Sequence, residues 1–332
     1  MSPKRVRGQQ TTDIDEDDFG RPARTTRPRT KDRPDYSGAP VGRVLAVDRG
    51  RYRCRVGEVD VTGAKARQLG HKGVIVGDRV RVVGDLSGQE GTLARIVEVL
   101  PRHTVLRRTA DDTDPVERPI VANADQLMIV TALADPPPRT GMIDRILVAA
   151  YDGGLTPLLC LTKNDLASPD ALIAAYAPLG LPILVTDPQA DLSDVTRLLA
   201  GHTTVLVGHS GVGKSTLINR LVPGAGRATA QVSDATGKGR HTSTSAIALE
   251  LPASQGWVID TPGVRSFGLH HVTPHSLLAA FPDLAACTEQ CPRGCRHTSE
   301  EPECGLDVAV QNGQVSAERV ASFRRIMSGL SG

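Results

Sequence analysis

Residues 203–216 read TTVLVGHSGVGKST, and this run restricts the local fold more tightly than any other stretch of the chain. Thr204–Val207 is apolar and long enough for one buried strand. Gly208, His209, Ser210, Gly211, Val212, Gly213, Lys214 and Ser215 then satisfy the pattern G-x-x-x-x-G-K-[ST], and Thr216 opens a stretch with helical spacing. A strand, a glycine-rich turn and a helix in that order make a phosphate-binding loop. Glycines let successive backbone N–H groups curl inward, and the helix N-terminus adds its positive end. Lys214 is expected to reach the β- and γ-phosphates and the Ser215 hydroxyl to bind Mg²⁺. A nucleoside triphosphate ligand follows.

The base is addressed earlier in the chain. Pro157–Leu161 is a second apolar run, and it ends in Thr162, Lys163, Asn164 and Asp165, which resembles the [NT]-K-x-D guanine motif of GTPases. A carboxylate at Asp165 can accept from guanine N1–H and the 2-amino group, whereas adenine offers neither donor. Each charge-assisted bond contributes about 1.5–3 kcal/mol, enough for strong discrimination. A third run, Trp257–Ile259, leads into Asp260-Thr-Pro-Gly263. There Asp260 is expected to hold Mg²⁺ through water and the Gly263 amide to sense the γ-phosphate. Between these parts lies a loop rich in glycine, lysine and threonine, Gly237–Thr244, which suits a mobile switch and offers Thr242 or Thr244 to the metal. Every part of a GTPase is present, but the guanine motif precedes the phosphate loop.

That order marks a circular permutation. The TKND, GHSGVGKST, GRHTST and DTPGVRSFGL segments, with what flanks them, resemble the ribosome-small-subunit-dependent GTPase A family. The resemblance spans roughly residues 38–330. It implies three parts: a small OB-like β-barrel, a circularly permuted α/β P-loop GTPase domain, and a small, mainly helical zinc-binding domain. It also implies hydrolysis of GTP to GDP and phosphate, stimulated by the small (30S) ribosomal subunit and its rRNA during late maturation.

The residues themselves divide the chain compatibly. At 332 residues there is material for two or three domains, and a net charge of +2 means that any basic surface must be local. Residues 1–37 form a polar tail expected to be disordered, with arginines at 21–29 offset by the acidic run Asp13–Asp18. Residues 38–108 carry short strands. In Arg51–Val56 three arginines alternate with Tyr52, Cys54 and Val56, and Arg79–Val82 repeats the alternation. A barrel of the OB type is expected, its basic face serving RNA phosphates or only solvent, with Tyr52 its one candidate for base stacking. Residues 101–120 read as a linker, and 109–270 hold the GTPase. Helices over 138–152, 168–177 and 192–200 alternate there with strands over 123–131, 157–161 and 182–186, predicting a doubly wound, largely parallel sheet. The turn after the last of these, Thr186-Asp187-Pro188, lacks the Ser-Ala that GTPases usually place against the base.

Residues 271–332 hold Cys287, Cys291, Cys295, His297 and Cys304. Cys291, Cys295, His297 and Cys304 suit one structural, closed tetrahedral zinc site. The resembled family separates its first two cysteines by one more residue, and Cys287 is a rival first ligand. The segment looks poor in apolar residues, so the metal is expected to staple it. The six cysteines of the chain are otherwise expected to be reduced. No apolar run spans a bilayer and no leader is evident at the start. A cytoplasmic, monomeric protein with no membrane contact is expected.

Hydrolysis needs an oriented water. Where many GTPases place a Gln, this chain has Val264, which makes no hydrogen bond. Turnover is therefore expected to need a partner, with His241 the internal candidate for orienting water beside Lys214. Two other functions fit the motifs less well. They are a P-loop kinase with a small-molecule acceptor, and a non-enzymatic RNA-binding scaffold with a structural nucleotide.

Overall fold

The computed structural model describes residues 35–70, 73–108, 118–225, 246–261, 269 and 272–329. Five strands come first: β1 (Val41–Asp48), β2 (Arg51–Val56), β3 (Val59–Lys65), β4 (Arg79–Gly84) and β5 (Ala94–Val99). They pair in the order β1-β2-β3-β5-β4, and β4 returns to β1, closing a barrel. Val44, Cys54, Val61, Val80, Val82 and Ile96 fill it. Tyr52 belongs to the same core and is only 7% exposed, so it cannot stack a base as the sequence suggested. Strand alternation places it on the face of Cys54, and a large ring on that face fills the barrel interior.

The stretch expected as a linker carries two strands, β6 (Val105–Arg108) and β7 (Arg118–Ala122), which pair with each other. Just before them, the Arg102 guanidinium grips the fully buried Asp78 carboxylate with bonds of 2.6 and 2.8 Å. A buried carboxylate requires such a partner, so Arg102 is structural.

The remaining strands are β8 (Gln126–Ala132), β9 (Thr156–Thr162), β10 (Ile183–Val185), β11 (His202–Val207), β12 (Ile247–Glu250) and β13 (Gly256–Asp260). Their order is β10-β9-β8-β11-β13-β12, parallel except for the β12–β13 pair. Every residue of β8 is buried, as befits a parallel strand covered on both faces. Leu127 and Ile129 face one core with α1 (Thr140–Asp152) and α2 (Asp170–Tyr176). Met128 and Val130 face the other with α3 (Ser193–Leu199) and α4 (Lys214–Leu221). That is the expected doubly wound sheet.

The barrel and this sheet share strand hydrogen bonding, because Ala46 of β1 pairs with Ile247 of β12. Leu45 and Ala46 each join one of the two GTPase cores, which explains the continuous apolar run in β1. At this seam Trp257 lies between two guanidinium groups, with Arg43 and Arg55 at 5.7 and 5.6 Å from its ring centre. Arg43 also donates to the Thr203 hydroxyl at 2.7 Å, and Arg55 to Glu250 at 2.8 Å and to Asp60. Arg55, one of the three arginines offered to RNA, is thereby engaged inside the molecule.

Four helices finish the chain: α5 (Pro274–Leu278), α6 (Pro282–Cys287), α7 (Gly305–Gln311) and α8 (Ala317–Ser328). The expectation that this segment lacks apolar material is wrong. Leu277, Phe281, Leu284, Leu306, Phe323 and Ile326 are buried in the same core as α1. Phe281 meets Tyr151 of α1 and Phe323 edge-on at 4.9 and 5.3 Å. The segment looks apolar-poor only if it must supply a whole core; it adds its apolar residues to one that α1, α2 and the sheet also build. Among the described residues no helix is long and apolar enough to cross a membrane.

Candidate functional site

The expected phosphate loop joins β11 to α4. Gly208 admits no side chain, since a Cβ there would sit 2.3 Å from the Val130 carbonyl oxygen. Gly213 has φ +88°, a left-handed conformation that turns the chain into the helix at Lys214. The first N–H groups of α4 have no intrahelical acceptor and face the end of the sheet where ligands bind in such folds. On the loop Ser210 is exposed and His209 half-buried.

The guanine motif sits at the end of β9, with β8 between it and β11, tied to the phosphate loop by one side chain. The Thr162 hydroxyl donates to the Val212 carbonyl at 2.6 Å. Lys163 takes a left-handed φ of 59°, and its ammonium donates to the Asp135 carbonyl. Asn164 N–H donates to the Thr186 carbonyl at 3.3 Å, and Asp165 is exposed at the rim. An open cleft of about 410 Å³ lies between Lys163 and the 186–188 turn on one side and Gly213, Leu217 and Arg220 on the other. Motifs far apart in the chain thus line a single cleft.

Asp260 reaches the same place because β13 runs parallel to β11, with Asp260 level with Leu206. Its carboxylate accepts a hydrogen bond from the Lys214 ammonium, and both side chains are largely shielded from solvent. The cation expected to bind phosphate and the carboxylate expected to bind metal are thereby in contact. A nucleotide that engages Lys214 must exchange this bond. Gly263, Val264, His241, Thr242 and Thr244 lie outside the described residues, as does the tail before residue 35.

In the C-terminal segment the candidate metal ligands meet. One donor atom from each of Cys291, Cys295, His297 and Cys304 lies within 4.8 Å of every other. The three sulfurs stand 3.6, 3.5 and 3.8 Å from His297 Nδ1. Metal–sulfur and metal–nitrogen bonds of about 2.3 and 2.0 Å at tetrahedral angles give an S···N edge of roughly 3.5 Å, so the cluster fits zinc. Burial lowers the pKa of His297, keeping the ring neutral and able to coordinate. Outside the four ligands, Arg324 of α8 donates to the His297 carbonyl at 2.9 Å and pairs with Asp307, and Gly305 N–H donates to Cys291 Sγ at 3.1 Å. Cys287 is not in the cluster; its thiol donates to the Asp283 carbonyl at 3.2 Å. Cys54 and Cys160 are core residues, their thiols pushed up to about 12 by burial.

The family model for the RsgA GTPase matches residues 99–270. Beside it stands a relative from Ectopseudomonas mendocina, "Small ribosomal subunit biogenesis GTPase RsgA", 41% identical over 71% of this chain and 70% of its own length. The chain belongs to the RsgA GTPase family. Proteins of the same name from Azotobacter vinelandii and Nitrosomonas europaea are 40% and 38% identical over 77% and 78% of this chain, covering 75% and 82% of theirs. The structure of YjeQ from Thermotoga maritima superposes with a TM-score of 0.66 at 26% identity, covering 88% of this chain and 99% of that one. YloQ, described as a circularly permuted GTPase, superposes at 0.64 with 23% identity, covering 90% and 98%, and shares the fold. This RsgA-family chain is accordingly a GTPase with the permuted order of motifs.

One residue lining the cleft escaped the sequence reading. Arg220 of α4 donates to the carbonyls of Asp187, at 2.9 Å, and Ala190. No motif marks it. Its only local signal is an arginine among apolar helix positions.

Proposed function

We propose that this chain hydrolyses GTP in the biogenesis of the small ribosomal subunit, working in the cytoplasm as a single chain that binds the subunit and its rRNA. The observation that carries the reading is the Thr162–Val212 hydrogen bond, which fuses a guanine motif and a phosphate loop into one cleft in a chain whose relatives bear that name. Within the cleft, Asp165 accepts from the guanine N1–H and 2-amino groups, while the aliphatic stem of Lys163 lies along the base. Residues 208–216 wrap the phosphates, and Lys214 leaves Asp260 to pair with the β- and γ-oxygens. Ser215, Thr242 or Thr244, and Asp260 through water, would hold Mg²⁺, which would supply neutralising charge where the leaving group forms. Gly263 senses the γ-phosphate. His241 orients the attacking water in place of the Gln that Val264 replaces, and the bound subunit brings it into position. Zinc on Cys291, Cys295, His297 and Cys304 is structural, since no ligand position remains for a substrate water.

Phosphate release from GTP, measured alone, with small subunits and with large subunits, tests the assignment. Small subunits should raise the rate roughly 10–10³-fold, which needs only about 1.4–4 kcal/mol of barrier. His241→Ala should abolish most of that gain while leaving GTP affinity intact. Equal stimulation by large subunits contradicts the assignment, and a variant stimulated like the parent removes His241 from it.

A further inference from the structure

Base recognition in this cleft depends on a turn, residues 186–190, that lacks the usual Ser-Ala, and its hydrogen bonds can be followed one by one. Thr186 N–H donates to the Leu161 carbonyl at 2.8 Å. Gln189 and Ala190 N–H both donate to the Asp187 carboxylate, at 2.7 and 2.8 Å. Pro188 has no N–H. Only the Asp187 N–H is left without a protein acceptor among the described residues of the turn. The peptide groups on either side of Asp187 are both held: the Thr186 carbonyl by Asn164 N–H, and the Asp187 carbonyl by Arg220 at 2.9 Å with longer bonds from the Thr186 hydroxyl and Ala190 N–H at 3.3 and 3.4 Å. Arg220 also holds the Ala190 carbonyl, so one guanidinium spans both ends of the turn.

We infer that Arg220 is the positioning residue that sets the purine specificity of the cleft, by holding the 186–190 turn so that the Asp187 N–H meets the 6-carbonyl of guanine. The inference rests on the reading of this cleft as a GTP site. Arg220 does not touch the nucleotide in this account. It sits on the helix that begins with Lys214, so the same rigid element that carries the phosphate contacts fixes the distance to the base turn. A planar fork with several spaced donors can serve two carbonyls at once, whereas the three donors of an ammonium share one compact nitrogen. Adenine, with a 6-amino group, would set donor against donor at Asp187. Its binding gains nothing from the clamp.

The test is calorimetric titration of the full chain and its Arg220→Ala and Arg220→Lys variants with GDP, IDP, ADP and inorganic tripolyphosphate. Arg220→Ala should weaken GDP and IDP together by roughly tenfold, the loss of about one hydrogen bond. The GDP-to-IDP ratio reads the 2-amino group at Asp165 and should not move. ADP and tripolyphosphate should bind as to the parent, and Arg220→Lys should fall between. Should the alanine variant fail to fold, the lysine variant decides alone: an intermediate loss supports the clamp, and parental affinity overturns it. Parental preference in Arg220→Ala overturns it as well, and so does an equal loss for all four ligands, which marks a merely structural side chain. If the parent itself does not prefer GDP to ADP, the GTP reading has failed instead.

Discussion

The nucleotide cleft and the cysteine loop are organised by opposite means. The cleft collects short segments from the ends of five parallel strands, and its contacts are largely backbone: a hydroxyl on the Val212 carbonyl, an ammonium on that of Asp135, a guanidinium on those of Asp187 and Ala190. The strands beneath it are buried on both faces, so their ends cannot drift. The cysteine loop collects side chains from one short segment, and its shape depends on the donor atoms themselves, with His297 and Glu303 both at positive φ. A site built on strand ends should keep its shape without its ligand. A site built from a loop's own side chains should not.

The largest effect should come from Lys214→Ala. Losing charge-assisted bonds of about 1.5–3 kcal/mol each should weaken GTP at least a hundredfold. Titration should show this while circular dichroism shows the fold retained. Loss of fold with loss of binding would mean that the cleft depends on the Lys214–Asp260 pair for its shape.

Next is the anchorage of the C-terminal helices. Burial pushes the Asp144 carboxyl up from its usual range, and Arg325, at 3.2 Å and lying 4.6 Å over the Tyr176 ring, opposes that shift. Arg325→Ala strands this carboxylate, which should destabilise the chain by about 3 kcal/mol in urea unfolding. Adding Asp144→Asn should recover part of the loss. Without such recovery the arginine acts through packing alone.

A smaller global effect is expected from Cys295→Ser. The bound zinc, one per chain by elemental analysis, should be lost, and amide exchange should speed up over residues 288–304. The α8 amides and GTP affinity should stay nearly parental, because Phe281, Phe323 and the Arg319–Asp283 pair hold the helices independently of metal. Undocking of α8 would show that the loop carries more of the segment than its packing indicates. Cys287→Ser should keep the metal.

What could be read in advance follows the same division. The strand ends that carry Lys214, Asp165 and Asp260 could be placed because strand–loop–helix spacing is local, and donor type and interval pointed to Cys295, His297 and Cys304, whereas the choice between Cys287 and Cys291 needed the fold. Arg220, Arg325 and the Arg43–Trp257–Arg55 stack were not, since each acts across contacts that only tertiary packing creates. Tyr52 misled for a related reason. An aromatic residue on an alternating strand suits a base or a core equally, and only the closure of the barrel decides which. The C-terminal segment misled because its apolar residues join a core shared with α1, α2 and the sheet.

If one pre-shaped cleft reads guanine through Asp165 while α4 holds the phosphates, Asp165→Asn should change the base that the cleft accepts. Xanthine carries a carbonyl where guanine has its 2-amino group, and an amide can donate to it. Competition binding of GTP and xanthosine triphosphate to this variant should show GTP weakened at least tenfold and xanthosine triphosphate now preferred. A variant that keeps parental GTP affinity would mean that Asp165 does not contact the base, and the account of the cleft would be wrong.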